Sequence, residues 1–123
     1  MRGNRRTDTR PELRLRSALH KMGHRFRKDA VIEEEGVRVR ADLVFRRARV
    51  AVFVDGCFWH GCAEHGRMPK SNVSYWTKKI ARNVARDRLV NAELTCAGWR
   101  VLRFWEHVEP REAAERVSAE LRS

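Results

Sequence analysis

Residues 41–55 read ADLVFRRARVAVFVD, two apolar runs joined by four residues of which three are arginine. The runs at 41–45 and 50–54 are rich in β-branched residues, which favour strands. A hairpin is the most economical way to join strands that lie so close in sequence, so we predict an antiparallel pair. It would bring Asp42, inside the first strand, close to Asp55, at the end of the second.

Two carboxylates near one sheet edge favour a magnesium site. Mg²⁺ takes oxygen ligands and keeps several waters, so one or two carboxylates and a phosphate oxygen are enough. The pair therefore predicts metal-assisted phosphodiester chemistry. Other interpretations stay open: Asp42 could be a strand-end acid or pair with Arg40, and Asp55, followed by Gly56, could be a turn residue.

Residues 57–65, which read CFWHGCAEH, are the second informative stretch. In a reducing compartment two close cysteines favour metal ligation over a disulfide. A structural zinc site needs four sulfur or nitrogen ligands, and this loop supplies three: Cys57, Cys62 and His65. We expect His107 to be the fourth. Cys96 is the competing fourth ligand, although a small buried apolar role suits it better.

His60 lies between the two thiols and has two possible roles. A neutral histidine, with an ordinary pKa of about 6.5, could take the proton from an attacking water next to bound magnesium. Its other role is that of a bystander in a zinc loop.

The remaining elements follow from helical periodicity and from start and stop signals. We predict a first helix opened by a capping box at Thr9–Glu12 and ended at Gly23, a short strand at 24–30, an acidic turn at 33–36, a long helix ended by Gly98, a buried strand at 99–105 and a last helix from Pro110. The order suits an α/β sheet flanked by helices, in a single domain of 123 residues. Asn83 and Asp87 fall on the inward arc of the long helix, where polar side chains need partners.

Charge indicates the class of partner. The chain has 27 Lys and Arg against 16 Asp and Glu, a formal net charge of +11, which favours a polyanion such as nucleic acid. A basic surface that serves only solubility is the alternative. We expect a cytoplasmic protein, associated at most with the nucleoid, because no apolar run could span a bilayer or form a signal peptide.

Several motifs together resemble those of the very short patch repair endonucleases, which nick DNA beside a thymine opposite guanine. They are DTRPE at 8–12, AD at 41–42, VFVDGCFWHGC at 52–62, YWTKKIARN at 75–83, RDR at 86–88, GWRVL at 98–102 and WE at 105–106. The resemblance implies a restriction-endonuclease-like mixed sheet between helices, catalytic Mg²⁺ and a separate structural Zn²⁺. It implies a metal-dependent hydrolase that nicks one strand 5′ to the thymine of a T:G mismatch left by 5-methylcytosine deamination.

The resemblance also implies roles for single residues. Asp42 would bind magnesium directly, with the backbone carbonyl of Val54 as a second ligand. Glu12 would hold a magnesium-bound water, and His60 would act as the base. Asp55 stands where the best-known members have a histidine, so it could bind the metal itself or order its waters.

Contacts with DNA are implied in the same way. Phe58, Trp59 and Trp76 match aromatics that wedge into the base stack, where unstacking a step costs a few kcal/mol and less at a mispair. Their alternative role is core packing. Lys79 and Asn83 match positions that contact the mispaired bases, and an ordinary helix surface is the alternative for Asn83.

The sequence departs from the family pattern in its zinc ligands, where Cys62, His65 and His107 would substitute. We also expect the N-terminal helix that embraces DNA in some members to be shortened or absent. The partner would be double-stranded DNA with a T:G mismatch, bound by a monomer, with mismatch-repair proteins as further candidates. Two alternatives remain: a nuclease of this architecture with another target, and a non-catalytic zinc module that binds DNA.

Overall fold

The computed structural model of the protein describes residues 10–34, 36–56 and 71–122. Within them the chain forms three helices and four strands, in the order α1 (Arg10–Lys21), β1 (Arg27–Glu34), β2 (Val37–Phe45), β3 (Val50–Asp55), α2 (Val73–Cys96), β4 (Arg100–Trp105) and α3 (Pro110–Arg122). None of the helices in this described part is long and apolar enough to cross a membrane.

The strands form one mixed sheet in the order β1-β2-β3-β4. β1 with β2 and β2 with β3 are antiparallel, and β3 with β4 is parallel. Apolar side chains of α1 and α3 pack with one face of the sheet, around Leu19 and Val117, and those of α2 pack with the other, around Leu94. The predicted mixed α/β sheet flanked by helices is therefore confirmed.

The predicted hairpin is also confirmed, because β2 and β3 pair with Phe45 opposite Val50. Its turn is fixed by Arg49, which has a positive φ of 56°. The Arg49 guanidinium donates to the Glu34 carboxylate and to the Ala97 carbonyl, both at 2.6 Å. This hydrogen bond from Arg49 is the main reason why the pKa of Glu34 is lowered. One arginine thus ties the turn to β1 and to the end of α2.

Some predicted boundaries were wrong. β1 begins later than residue 24 and continues through Glu34, so Glu33 and Glu34 belong to a strand and not to a turn. β4 is mostly half-buried instead of buried, since it lies at an edge of the sheet. Gly98 does end the long helix, with a φ of 93°. Cys96 is exposed, so the small buried apolar role expected for it was wrong.

The β1–β2 pair changes faces at Asp29 and Asp42. Ala41 packs on the α2 side, whereas Leu43 packs on the α1 and α3 side. Alternation would put residues two apart on one face. Across the pair, Lys28 faces Leu43 and Ala30 faces Ala41, and Asp29 between them has a φ of 47°. This irregularity places Asp42 at the point where the regular strand is interrupted.

Candidate active site

The carboxylate of Asp42 takes the place of a backbone acceptor. The β2–β3 ladder starts with Leu43 opposite Val52, so Asp42 is the first residue beyond it. There the Val54 amide donates to Oδ2 of Asp42 at 2.6 Å. An unpaired amide inside a sheet is costly, and this hydrogen bond satisfies it. Asp42 is therefore held at the fork where β2 leaves β3.

Glu12 is the nearest acidic neighbour of Asp42. It lies in the first turn of α1, is only 7% exposed, and hydrogen-bonds with the Asp42 side chain. The pKa of Asp42 is raised from 3.8 to about 7, chiefly by burial and then by the charges of Glu12 and Asp55, against the lowering effect of the Val54 amide. Two carboxylates can share a hydrogen bond only when they also share a proton. A divalent cation could replace that proton.

Asp55, the last residue of β3, is 8% exposed. Nη1 of Arg103 lies 3.0 Å from its Oδ1 and 3.2 Å from its Oδ2, so both carboxylate oxygens face the guanidinium. The prediction that Asp42 and Asp55 lie close together agrees with the effect of Asp55 on the pKa of Asp42. The possible Asp42–Arg40 pair was wrong, since Arg40 binds Asp29.

Arg103, which the sequence analysis did not single out, organises this end of β4. Its Nε donates to Oδ1 of Asn91 at 2.7 Å, and its Nη1 lies 3.7 Å from Oδ1 of Asp87. Its guanidinium also sits 4.1 Å from the ring centre of Phe53. Asp87 thus has one of the partners that its inward position required. The signal was present: Arg103 stands between two pairs of apolar residues, at 101–102 and 104–105.

The first half of α2 extends beyond this network. Asn83 and Lys79 precede Asp87 by one and two helical turns, about 6 and 12 Å along the axis. Both are half-buried, as is Trp76 one turn further. The Trp76 ring meets that of the exposed Tyr75 edge-on at 5.0 Å. The side chains proposed to contact DNA therefore follow the site along one side of one helix.

Part of the predicted site lies outside the described residues. These positions are His60, Phe58 and Trp59 and the three zinc candidates Cys57, Cys62 and His65. The fourth candidate, His107, is exposed in the turn after β4. Across residues 10–34, 36–56 and 71–122, no three His, Cys, Asp or Glu side chains form a group that could hold a metal ion.

The sheet register bears on the choice of the fourth zinc ligand. Asp55 pairs with Trp105, and the Glu106 amide donates to the Asp55 carbonyl at 2.9 Å. In sequence, Cys57 follows Asp55 by two residues, as His107 follows Trp105. Cys96 precedes the other end of β4, roughly 16 Å away at about 3.3 Å per residue. His107 therefore stays the predicted fourth ligand, with Cys96 as the alternative.

Comparisons with known proteins show the family of this chain. Residues 1–65 match the family model described as DNA mismatch endonuclease Vsr. The type II nicking enzyme V.NaeI of Lentzea aerocolonigenes is 56% identical over 118 residues, which cover 95% of this chain and 71% of the relative. The type II nicking enzyme V.XorIIP of Xanthomonas oryzae is 43% identical over 100 residues, which cover 80% of this chain and 71% of that relative.

The DNA mismatch endonuclease Vsr of Escherichia coli is 37% identical over 103 residues, 80% of this chain and 62% of that protein. Identities of this size over most of the chain, with acids at the sheet fork and a net charge of +11, point to one conclusion. This chain belongs to the Vsr family and is a DNA-nicking endonuclease, a hydrolase of phosphodiester bonds.

Proposed function

We propose that the chain nicks one strand of double-stranded DNA 5′ to the thymine of a T:G mismatch, as arises when 5-methylcytosine deaminates, in a magnesium-dependent reaction. The observation that carries this proposal is the Glu12–Asp42 pair at the β2–β3 fork. It lies at the end of the sheet from which α2 extends with its line of polar and aromatic side chains. The acids that serve catalysis and the side chains that recognise the DNA bases would thus lie on one surface.

The donor set at the fork suits magnesium. Asp42, with the backbone carbonyl of Val54, would hold the ion, and Glu12 would hold water beside it. Mg²⁺ needs only one or two carboxylates from a protein, so the lack of a three-residue cluster among the described residues does not count against it. Bound there, the ion would supply stabilisation of phosphate charge and activation of water.

The chain's own groups would complete the reaction. His60 would accept the proton of the attacking water as that oxygen bonds to phosphorus and the bond to the leaving ribose oxygen breaks. Burial of Asp42 and Glu12 keeps bulk water from screening their charges. The Val54 amide holds Asp42 at 2.6 Å, which fixes one of its carboxylate oxygens before the substrate arrives.

A structural zinc ion would stabilise the segments next to this site. We propose Cys57, Cys62, His65 and His107 as its four ligands, with residues 1–123 as one domain. The support is chemical and topological: soft donors at compact spacing, and a register that leaves residues 57 and 107 equally far beyond a paired position. The ion would then join the end of β3 to the segment after β4.

Recognition of the mismatch would depend on α2 and the segment before it. Phe58, Trp59 and Trp76 would wedge into the stack, and Lys79 and Asn83 would contact the mispaired bases. Half-burial of Trp76 is compatible with a ring that is supported from one side and presents its other face. A monomer would suffice, and mismatch-repair proteins are candidate partners after the nick.

A strand-resolved nicking assay tests the proposal. A duplex with one T:G pair, labelled separately on each strand, should give a single product in Mg²⁺, cut 5′ to the thymine. Asp42→Asn should abolish turnover while DNA binding persists, because the change removes a charge and keeps the shape. Asp29→Asn is the matched control in the adjacent strand and should nick normally. If Asp42→Asn nicked as well as Asp29→Asn, the assigned site would be wrong.

A second target class is favoured by the names of the relatives. Two of the three relatives described above are called type II nicking enzymes, a name that mentions no mismatch. The chain could then nick matched DNA at a defined sequence. Equal rates on T:G and T:A duplexes of one sequence would favour that function. Binding without cleavage of any duplex would instead indicate a non-catalytic DNA-binding module.

A further inference from the structure

Arg103 and Asp55 form the most enclosed of the ion pairs described here. Their side chains are 18% and 11% exposed, whereas the Arg38–Glu33 pair has exposures of 68% and 65%. Arg103 has two further contacts: its Nε donates to Oδ1 of Asn91 at 2.7 Å, and its guanidinium lies 4.1 Å from the ring centre of Phe53. A guanidinium held this way has little freedom to leave its carboxylate.

The Arg103–Asp55 ion pair neutralises one of the negative charges next to the fork. Glu12 and Asp55 both act on the carboxyl group of Asp42. Arg103 meets both oxygens of Asp55, at 3.0 and 3.2 Å, and leaves the other two acids to face each other. A carboxylate whose two oxygens are committed to a guanidinium is poorly available to a cation, because metal binding would have to break a charge-assisted contact.

We propose that Arg103 is a positioning residue: it holds Asp55 outside the inner coordination sphere of the divalent cation, so that Asp42 and not Asp55 binds the ion. The proposal rests on the proposed magnesium-dependent function and decides between the two roles left open for Asp55. Asp55 orders its surroundings through Arg103 and through its backbone carbonyl, which accepts from Glu106. Arg103 thereby limits how strongly the site attracts a cation.

Two variants separate charge from ligation. Arg103→Met keeps an apolar stem over Phe53 and frees a buried negative charge next to Asp42. We expect it to bind a divalent cation at least about fivefold more tightly, because coupling within one ion-pair network is commonly about 1 kcal/mol or more. The double variant Asp55→Asn with Arg103→Met removes both charges. It should bind the cation within about twofold of the wild type.

Binding of Mn²⁺ to the DNA-free protein, followed by electron paramagnetic resonance, gives a readout independent of turnover. Binding that persists in Asp42→Asn is subtracted as belonging to other sites. Thermal unfolding checks that each variant is folded. Arg103→Lys keeps the charge and loses the hydrogen bond to Asn91, so it should show wild-type Mn²⁺ affinity within about twofold and a lower kcat at saturating metal.

The outcomes are distinct. A double variant that binds Mn²⁺ more than tenfold more weakly than the wild type would make Asp55 an inner ligand and overturn the proposal. So would a folded Arg103→Met protein with unchanged affinity. If Arg103→Met does not fold, the double variant, in which residue 55 no longer carries a charge, decides alone. If Asp42→Asn keeps full Mn²⁺ binding and nicking, the magnesium site itself is wrong, and the role of Arg103 falls with it.

Discussion

Replacing Asp42 with asparagine should remove most of the pH dependence of stability that the metal-free protein shows between about pH 4 and 7. Folding raises the pKa of Asp42 from 3.8 to about 7, chiefly through burial and then through Glu12. A carboxyl whose pKa is raised on folding favours the folded state while it is protonated. That contribution is fully present below about pH 4 and is lost as the pH rises through about 7.

The size of the effect follows from the shift. Each pKa unit corresponds to about 1.4 kcal/mol, so a shift of about three units gives an upper limit on the order of 4 kcal/mol. Asp42 and Glu12 share the proton, so the change belongs to the pair and not to one residue. In Asp42→Asn the side-chain amide oxygen could still accept the Val54 amide, so the variant should fold.

The free energy of unfolding, measured by urea denaturation from pH 4 to 8 without divalent metal, checks this. The wild type should lose stability across the window relative to Asp42→Asn. Asp29→Asn is a close control, because asparagine tolerates the positive φ of 47° found at residue 29. Millimolar Mg²⁺ should flatten the wild-type curve, since it binds the ionised form. Parallel curves for wild type and Asp42→Asn would refute the reasoning.

Three further predictions concern recognition, the zinc scaffold and the hairpin turn. Lys79→Ala should reduce the preference for T:G over T:A duplexes, measured as kcat/KM, by about 1–3 kcal/mol. Lys78→Ala, on the exposed side of α2, should leave that preference unchanged. Equal effects of the two variants would show that Lys79 contributes only its charge to DNA binding. His107→Ala should lower the zinc content and the Tm by more than about 10 °C in calorimetry, and unchanged zinc would exclude His107 as a ligand. Arg49→Ala should lower the urea midpoint of unfolding, because it removes hydrogen bonds to Glu34 and to the Ala97 carbonyl at the end of α2. An unchanged midpoint would mean that the turn holds without them.

The sequence predicted the parts of the fold that depend on local chemistry. Two apolar runs separated by a short basic connection allow little besides a hairpin, and Gly98 with a φ of 93° ends α2 as a glycine should. The strand at residues 27–34 was harder to delimit. Its acidic end resembles a turn in sequence, yet Glu34 pairs with Arg49, a partner on the turn between β2 and β3. Such pairing across strands overrides local preference.

The change of faces at Asp42 had no signal in the local pattern. Alternating hydrophobicity predicts which residues share a face only while a strand stays regular. Here β1 and β2 both depart from regularity, with Asp29 at a φ of 47° opposite the position of Asp42. The irregularity is a tertiary property, because it lies where β2 and β3 separate, at the residue before Leu43. Irregular strand positions are frequent next to active sites for this reason.

The aspartate at position 55 becomes understandable only together with Arg103. In the resemblance, this position is a histidine in the best-known members, a residue that is neutral or cationic near neutral pH. An aspartate alone would add a third negative charge beside Asp42 and Glu12 and raise the cost of ionising them. Arg103, 3.0 Å from Asp55, returns the pair to zero net charge. Asp55 and Arg103, which are distant in sequence, thus keep the local charge near the value that a single neutral histidine would give. This compensation cannot be seen from position 55 alone.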